Sequence, residues 1–258
     1  MKRRTAKSGW YYAGRCSACL VMILCAVSTI YPIVWLGITS IKRNSEVYVN
    51  PWALPAAPQF ENFLIAWTDG NMSVFFRNSV FLGVVCTGLS LLISCMSAYG
   101  ITRFDLKPAK WIEIYFLFGI LVPIHSVLIP LFMIMMKCRL LNTMVALVVI
   151  YITFMLPTSI FLLSAGMRSI PNELEEAAVI DGCTTVKMFF HVIVPLSTPT
   201  LFTVATLNFL FVWNEYIFAL IFTGNKRLRT LPVGLASFAG VYGSDYATMA
   251  AGVIIAII

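Results

Sequence analysis

Five stretches of this chain, residues 16–41, 78–101, 111–136, 143–167 and 200–222, are apolar runs of more than twenty residues. A helix needs about twenty predominantly apolar residues to cross the hydrocarbon core of a bilayer, so each run is long enough for one crossing. A sixth apolar run begins near Ala247 and reaches Ile258. At about 1.5 Å per residue it makes a helix of about 18 Å against a core of about 30 Å, so the chain is expected to end inside its last span. The expected fold is an all-α integral membrane protein of six transmembrane helices, the last truncated.

Composition agrees with that reading. The 258 residues are 60% hydrophobic and only 11% charged, far from the balance of soluble domains. A formal net charge of +7 raises the question of nucleic acid, but the basic residues flank apolar runs and form no stripe with interleaved aromatics, which excludes that partner. The seven cysteines lie mostly in or beside the apolar runs and lack the spacing of a disulfide framework. Cys16 and Cys19 form a C-x-x-C, yet with no second pair or nearby histidine they read as apolar fillers and not as a metal site.

Residues 1–15 are expected to form a cytoplasmic N-terminal segment ahead of a membrane domain over 16–258. The segment carries Lys2, Arg3, Arg4, Lys7 and Arg15. The run that follows is too long for the core of a cleavable signal peptide and is followed by no small-residue cleavage site, so it reads as a signal anchor. An inside N-terminus places ten basic residues on inner segments and eight on outer ones. The five-charge cluster before the first span decides the orientation. Between the first two spans, residues 42–77 contain Pro51, Pro55 and Pro58, with Phe60, Phe63 and Trp67 spaced for one short interfacial helix.

The second half has one long polar interruption, residues 169–195. Pro171 suits the first turn of a helix, and Glu173, Glu175 and Glu176 place negative charge where the helix dipole favours it. Leu174, Ala177 and Ala178 share a face, and Asp181-Gly182 supplies a left-handed turn after the helix. Thr184 or Thr185 can cap a second helix with Val186, Phe189, Phe190 and Ile193 on one face, which Pro195 is expected to stop. Each arm is about ten residues, half of what a crossing needs, so this helix-turn-helix elbow must lie outside the hydrocarbon. With the N-terminus inside, four spans place it in the cytoplasm. Physical reasoning leaves two uses open: a surface gripped by another protein, with the aromatic pair turned outward, or an amphipathic elbow resting on lipid headgroups.

Few residues invite chemistry. No G-x-x-x-x-G-K-[ST] occurs, so ATP is not bound by that route, and neither G-x-S-x-G nor H-E-x-x-H is present. No catalytic or metal site is expected. Glu215, in Trp213-Asn214-Glu215-Tyr216 within the fifth run, would be costly facing lipid. It reads either as a pathway residue for a polar solute or as a carboxylate paired with Asn or Arg for packing. His125, between Pro123 and Pro130, is a second pathway candidate, and Pro157 marks a kink. An ion-coupled transporter using Glu215 and His125 as a proton relay is the rival reading, and it leaves the elbow unexplained.

The elbow's wording is more specific than its physics. Glu176-Ala177-Ala178, Gly182 after three further residues, and the ending Val192, Val194 and Pro195 resemble the EAA loop of ATP-driven importer permeases. Further stretches are similar, in order, to the carbohydrate-uptake group that includes the second membrane subunit of maltose, multiple-sugar and glycerol-phosphate importers. They are Phe76-Arg77-Asn78-Ser79, VPIHSVLIPLF at 122–132, LLNT at 140–143, LPTSIFLL at 156–163, WNEYIFAL at 213–220 and TLPVGL at 230–235. Two departures are His125, where many relatives carry glutamine, and the missing end of the final span. The resemblance implies a cell-membrane permease that pairs with a second, different permease and receives a sugar or related polyol or oligosaccharide from an external binding protein. It implies contact with an ATPase dimer through Glu176, Ala177, Ala178, Gly182, Phe189 and Pro195, with ATP and Mg held by that ATPase and no cofactor in this chain. Asn214, Glu215, Tyr216 and His125 are then the candidates for solute contact.

Overall fold

The structure, a computed structural model, describes residues 7–104, 107–241 and 243–257, and the side chains of all of these except 7–13, 238 and 239. Lys2, Arg3 and Arg4 of the basic cluster and the final Ile258 lie outside the described residues. Among the described residues every regular element is helical. The chain runs α1 (Lys7–Ser40), α2 (Asn44–Val49), α3 (Glu61–Thr68), α4 (Met72–Arg103), α5 (Ala109–Leu121), a 3-10 turn (Ile124–Val127), α6 (Leu128–Lys137), α7 (Met144–Arg168), α8 (Glu173–Ile180), α9 (Thr185–Met188), a π-turn (Phe189–Ile193), α10 (Val194–Leu196), α11 (Thr198–Asn214), α12 (Ile217–Phe222), a 3-10 turn (Lys226–Leu228), α13 (Leu231–Val241) and α14 (Tyr246–Ile257). Three stretches, Gly14–Ser40, Met72–Arg103 and Met144–Arg168, are long and apolar enough to cross a membrane as single helices. Two bent helix pairs bring the number of candidate spans to as many as five.

The bends correct the expectation of uninterrupted spans. The run 111–136 turns by 90° between its halves, because Pro123 drives Val122 out of the helical region to ψ 119°. The run 200–222 is split at Glu215, whose ψ is 128°, and resumes at Ile217. Pro195 does not stop the elbow's second arm. The arm continues to Leu196 and then bends by 76° into α11. The π-turn before Pro195 accommodates it, with the Val194 N–H donating five residues back to the Phe189 carbonyl. α1 begins at Lys7, well ahead of the apolar run, and α4 begins at Met72. Within 42–77 the short helix expected around Phe60, Phe63 and Trp67 is α3, and α2 is a second one; residues 223–246 hold α13.

The chain divides into two compact units, Met1–Met72 with Leu235–Ile258, and Ser73–Gly234. In the first, α14 packs along α1, α2 and α3, presenting small buried residues Ala247, Ala250, Ala251 and Gly252. Polar pins order the segment after α1. Lys42, only 1% exposed, donates to the carbonyls of Asn50 (3.2 Å) and Pro51 (2.9 Å) and so closes the C-terminus of α2. Asn62 on α3 donates to the carbonyls of Ser40 and Lys42, both at 2.9 Å.

The second unit is built around α7. One buried cluster joins Leu82 and Cys86 of α4 to Leu147, Ile150 and Tyr151 of α7 and Phe218 and Phe222 of α12. A second joins Cys95, Ala98 and Tyr99 of α4 to Leu163 and Met167 of α7, Phe189 and Ile193 of the elbow and Val204 of α11. Within the same helices, Asn208 of α11 donates to the hydroxyls of Ser90 on α4 (3.2 Å) and Ser159 on α7 (3.0 Å). Lipid tails are as apolar as leucine, so helices in a bilayer are held by close packing and by hydrogen bonds of this kind. Close approach is visible at Gly166, where a side-chain carbon would stand 2.5 Å from the Thr200 hydroxyl.

Candidate functional site: the elbow and two broken spans

The elbow opens at Glu173 and its first arm closes with Gly182 at φ +81°, a conformation that glycine adopts without steric cost. The Thr184 side chain then accepts from the Lys187 N–H at 3.5 Å and caps the second arm. Two faces result. Ala178, Met188, Phe189 and Ile193 are buried, with Phe189 stacked obliquely on Tyr99 of α4 at 5.2 Å. Glu173, Glu176, Ala177 and Gly182 are exposed, and so are the apolar Ile180 (86%), Val186 (67%) and Phe190 (53%). The aromatic pair is therefore divided: Phe189 faces the helices and Phe190 faces away, where the sequence reading turned both outward. Pro195 is exposed on α10.

Arg103, in the last turn of α4, joins the elbow to the spans. Its Nη1 donates to Asn172 Oδ1 at 2.7 Å, and its Nη2 donates to the carbonyls of Met167 and Ile170, both at 2.9 Å. Its Nε lies 2.5 Å from Glu175 Oε1; the N–H is not aimed at the oxygen, so this is a charge contact and not an aligned hydrogen bond. Nearby, Arg168 at the end of α7 makes a two-pronged contact with Glu113 of α5, each prong 2.7 Å.

The second group of candidates gathers at the broken spans. Glu215 folds back on the helix that follows it: Oε1 accepts from the Phe218 N–H at 2.8 Å and Oε2 from the Ala219 N–H at 3.0 Å. Oε2 also accepts from the hydroxyl of Tyr151 at 2.6 Å. The carboxylate thus meets the donor-rich N-terminus of α12, where unpaired N–H groups and the helix dipole favour negative charge. Its partners are a phenol and two backbone amides, not the Asn or Arg side chain that the packing reading offered. His125 sits on the 3-10 turn at the bend between α5 and α6 and stacks on Phe218 at 6.2 Å. The two interrupted spans therefore meet through Phe218. Asn214 is exposed and donates to its own helix at the Leu210 carbonyl, 2.8 Å away, and Tyr216 is exposed.

Sequence reasoning missed the residues that hold these pieces. Asn78 donates to the carbonyls of Arg227 (2.8 Å) and Arg229 (2.9 Å), and the Ser79 hydroxyl accepts from the Leu231 N–H at 2.8 Å. Asn142, at φ 60°, accepts from the Gly224 N–H at 2.6 Å. Their signal was a polar residue at the edge of an apolar run. Arg103, at the other edge of the run 78–101, carried the same signal without its partners, and Tyr151, inside a run, gave no such cue.

Residues 90–258 match the family model described as "Binding-protein-dependent transport system inner membrane component". The chain is 34% identical over 95% of its length to a probable ABC transporter permease protein of Bacillus subtilis, covering 81% of that protein. It is 34% identical over 96% of its length to a sulfoquinovosyl glycerol transport system permease protein of Agrobacterium fabrum, covering 87% of it. In fold it is similar to a chain from the crystal structure of a bacterial ABC transporter involved in the import of the acidic polysaccharide alginate. That likeness has a TM-score of 0.82 at 22% identity and covers 100% of this chain and 94% of the other.

Proposed function

The chain belongs to the binding-protein-dependent transport system inner membrane components, and from that premise we propose that it carries a sugar, or a glycoside of one, across the cell membrane. An external solute-binding protein delivers the solute, a second, different permease completes the pathway, and a pair of ATPases binds ATP and Mg and drives the cycle. The substrate class follows the relative named for sulfoquinovosyl glycerol. In this reading the apolar run reaching Ile258 belongs to a sixth span, and the N-terminus and the elbow lie in the cytoplasm, as the basic cluster before the first span favours.

The observation that carries the reading is the two-faced elbow. One face is buried against α4, α7 and α11. The other exposes Ile180, Val186 and Phe190 around Glu176 and Ala177, on arms too short to cross a bilayer. An exposed apolar patch with a polar rim marks contact with a protein or a membrane, and membership of a transport system of several components favours the protein. Glu176, Ala177 and the Gly182 turn meet the ATPase; Ala178, Phe189 and Pro195 fix the angle at which that face is offered. Closure of the ATPases on ATP tilts the spans through the elbow and alternates access to the pathway. Glu215 and Phe218 shape that pathway by holding the break between α11 and α12, and His125, Asn214 and Tyr216 are the exposed side chains that meet solute there. The test is affinity purification of the tagged chain from its own membrane in mild detergent. An ATPase recovered with it is the expected result; its absence under conditions that keep the permease folded refutes the reading.

A further inference from the structure

We infer that Arg103 is the strut through which the elbow moves the spans, a positioning residue that makes α8, the end of α7 and the end of α4 move as one body. The inference rests on the proposed docking of an ATPase at the elbow. Two stretches distant in sequence converge on one guanidinium: the end of α4, which carries it, and the junction of α7 and α8, which offers the carbonyls of Met167 and Ile170 and then Asn172 and Glu175. Its side chain is only 10% exposed and that of Glu175 14%, so water competes little for that pair, while the bond to Asn172 lies at the exposed rim. The Met167 carbonyl it takes also accepts from the Ile170 N–H at 3.1 Å, so the guanidinium adds to a helix end that the backbone has already begun to close. A guanidinium suits the task because its donors are fixed in one plane and can hold several acceptors in a set geometry, whereas an ammonium is a point charge on a flexible stem.

The rest of the elbow's attachment is of another kind. Phe189 and Ile193 pack on Tyr99, Leu163 and Val204 through apolar surfaces, which resist separation but are non-directional, and the Tyr99 hydroxyl adds a weak bond to the Met188 sulfur at 3.6 Å on the second arm. The first arm, α8, carries the Glu176-Ala177 face, yet its one buried apolar residue is Ala178. Direction at the first arm therefore comes from Arg103. A pull on α8 reaches α7 and α4 through the aligned bond to its cap Asn172 and the charge contact with Glu175, on the side of the unit where Arg168 and Glu113 join α5 to α7.

Two variants separate transmission from folding. Arg103→Lys keeps the positive charge and loses the fork. The double variant Asn172→Ala with Glu175→Gln leaves Arg103 bonded to the carbonyls of α7 and releases the first arm, so a purely structural clamp between α4 and α7 survives in it. The reporter is Val145→Cys, in the exposed first turn of α7 at the end opposite Arg168, with the native cysteines replaced by alanine. Its thiol-labelling rate is measured with and without ATP in the complex purified with its ATPase. The parent complex is expected to change labelling about fivefold or more on adding ATP, the lower range of coupling between sites. Both variants are expected to lose most of that change while retaining the ATPase, its hydrolysis rate and the parent's thermal midpoint. A double variant that folds, hydrolyses ATP and responds like the parent overturns the inference. No ATPase with the parent overturns the proposed docking itself, which tells the two failures apart.

Discussion

Glu215 is the residue whose removal has the most specific consequence. Its carboxylate accepts three hydrogen bonds, from the Tyr151 hydroxyl and the N–H groups of Phe218 and Ala219, and Tyr151 is fully buried. Glu215→Ala strands that hydroxyl, at a cost of about 1–3 kcal/mol, and uncaps α12, at a cost of about 0.5–2 kcal/mol. The expected loss is about 2–4 kcal/mol. Tyr151→Phe alone removes one bond to a charged acceptor and should cost about 1.5–3 kcal/mol. In the Glu215→Ala background the same change removes a hydroxyl that has already lost its acceptor, so it should cost nothing. The four proteins form a double-mutant cycle, read as unfolding midpoints of the purified permease titrated with SDS in mixed micelles. A coupling energy of about 1.5 kcal/mol or more is expected. Single effects that add to within about 0.5 kcal/mol would refute the cap-and-phenol account. Unchanged stability in Glu215→Ala would return the residue to a pathway role alone.

Gly182→Val should abolish ATP-driven uptake with the permease still inserted, because φ +81° costs a β-branched residue roughly 1–2 kcal/mol or more and opens the turn; wild-type uptake would remove the turn from the mechanism. Glu176→Ala should cut the ATPase retained on the purified permease by roughly ten- to a hundredfold, the value of a charge-assisted contact of about 1.5–3 kcal/mol, while Glu173→Ala should do little. Equal retention would make Glu176 an ordinary first-turn acid. Single cysteines at Ser8 and Glu173 should resist impermeant thiol reagents added to intact cells and react in inverted vesicles; labelling of Glu173→Cys from outside would reverse the topology. Asn78→Ala should free the Arg227 and Arg229 carbonyls, seen as faster proteolysis over 223–230 with the spans intact.

The apolar runs announced the membrane class because length and composition act one residue at a time and need no partner. Much of the elbow was legible for the same reason: the acidic first turn, the glycine at positive φ and the capping threonine are local signals and fell where expected, whereas Pro171 stands just ahead of the cap Asn172, Pro195 does not stop the second arm, and Val186 and Phe190 do not share the buried face of Phe189 and Ile193. What escaped is what depends on a neighbour distant in sequence. Nothing near Glu215 in the chain announces Tyr151, sixty-four residues away, and nothing near Arg103 announces Met167 or Asn172. The sharp bend at Val122 was visible in principle, since a residue before proline leaves the helical region. It was hidden by the hydrophobicity on either side, which reads as one uninterrupted crossing.

The π-turn from Phe189 to Ile193 works as an odd tooth in a gear. An α-helix turns by about 100° per residue, and a π-turn closes on one residue more than an α-turn, so the wide turn takes up a residue that would otherwise rotate every later side chain by roughly that angle. Upstream of it, the second arm is phased to the elbow; downstream, α10 and α11 are phased to the spans. Deleting one residue between 189 and 193 is expected to close the turn to an even winding with both halves still in phase. Deleting two would swing the coupling face from the membrane face by roughly 100°, so loss of one residue here is expected to be tolerated better than loss of two.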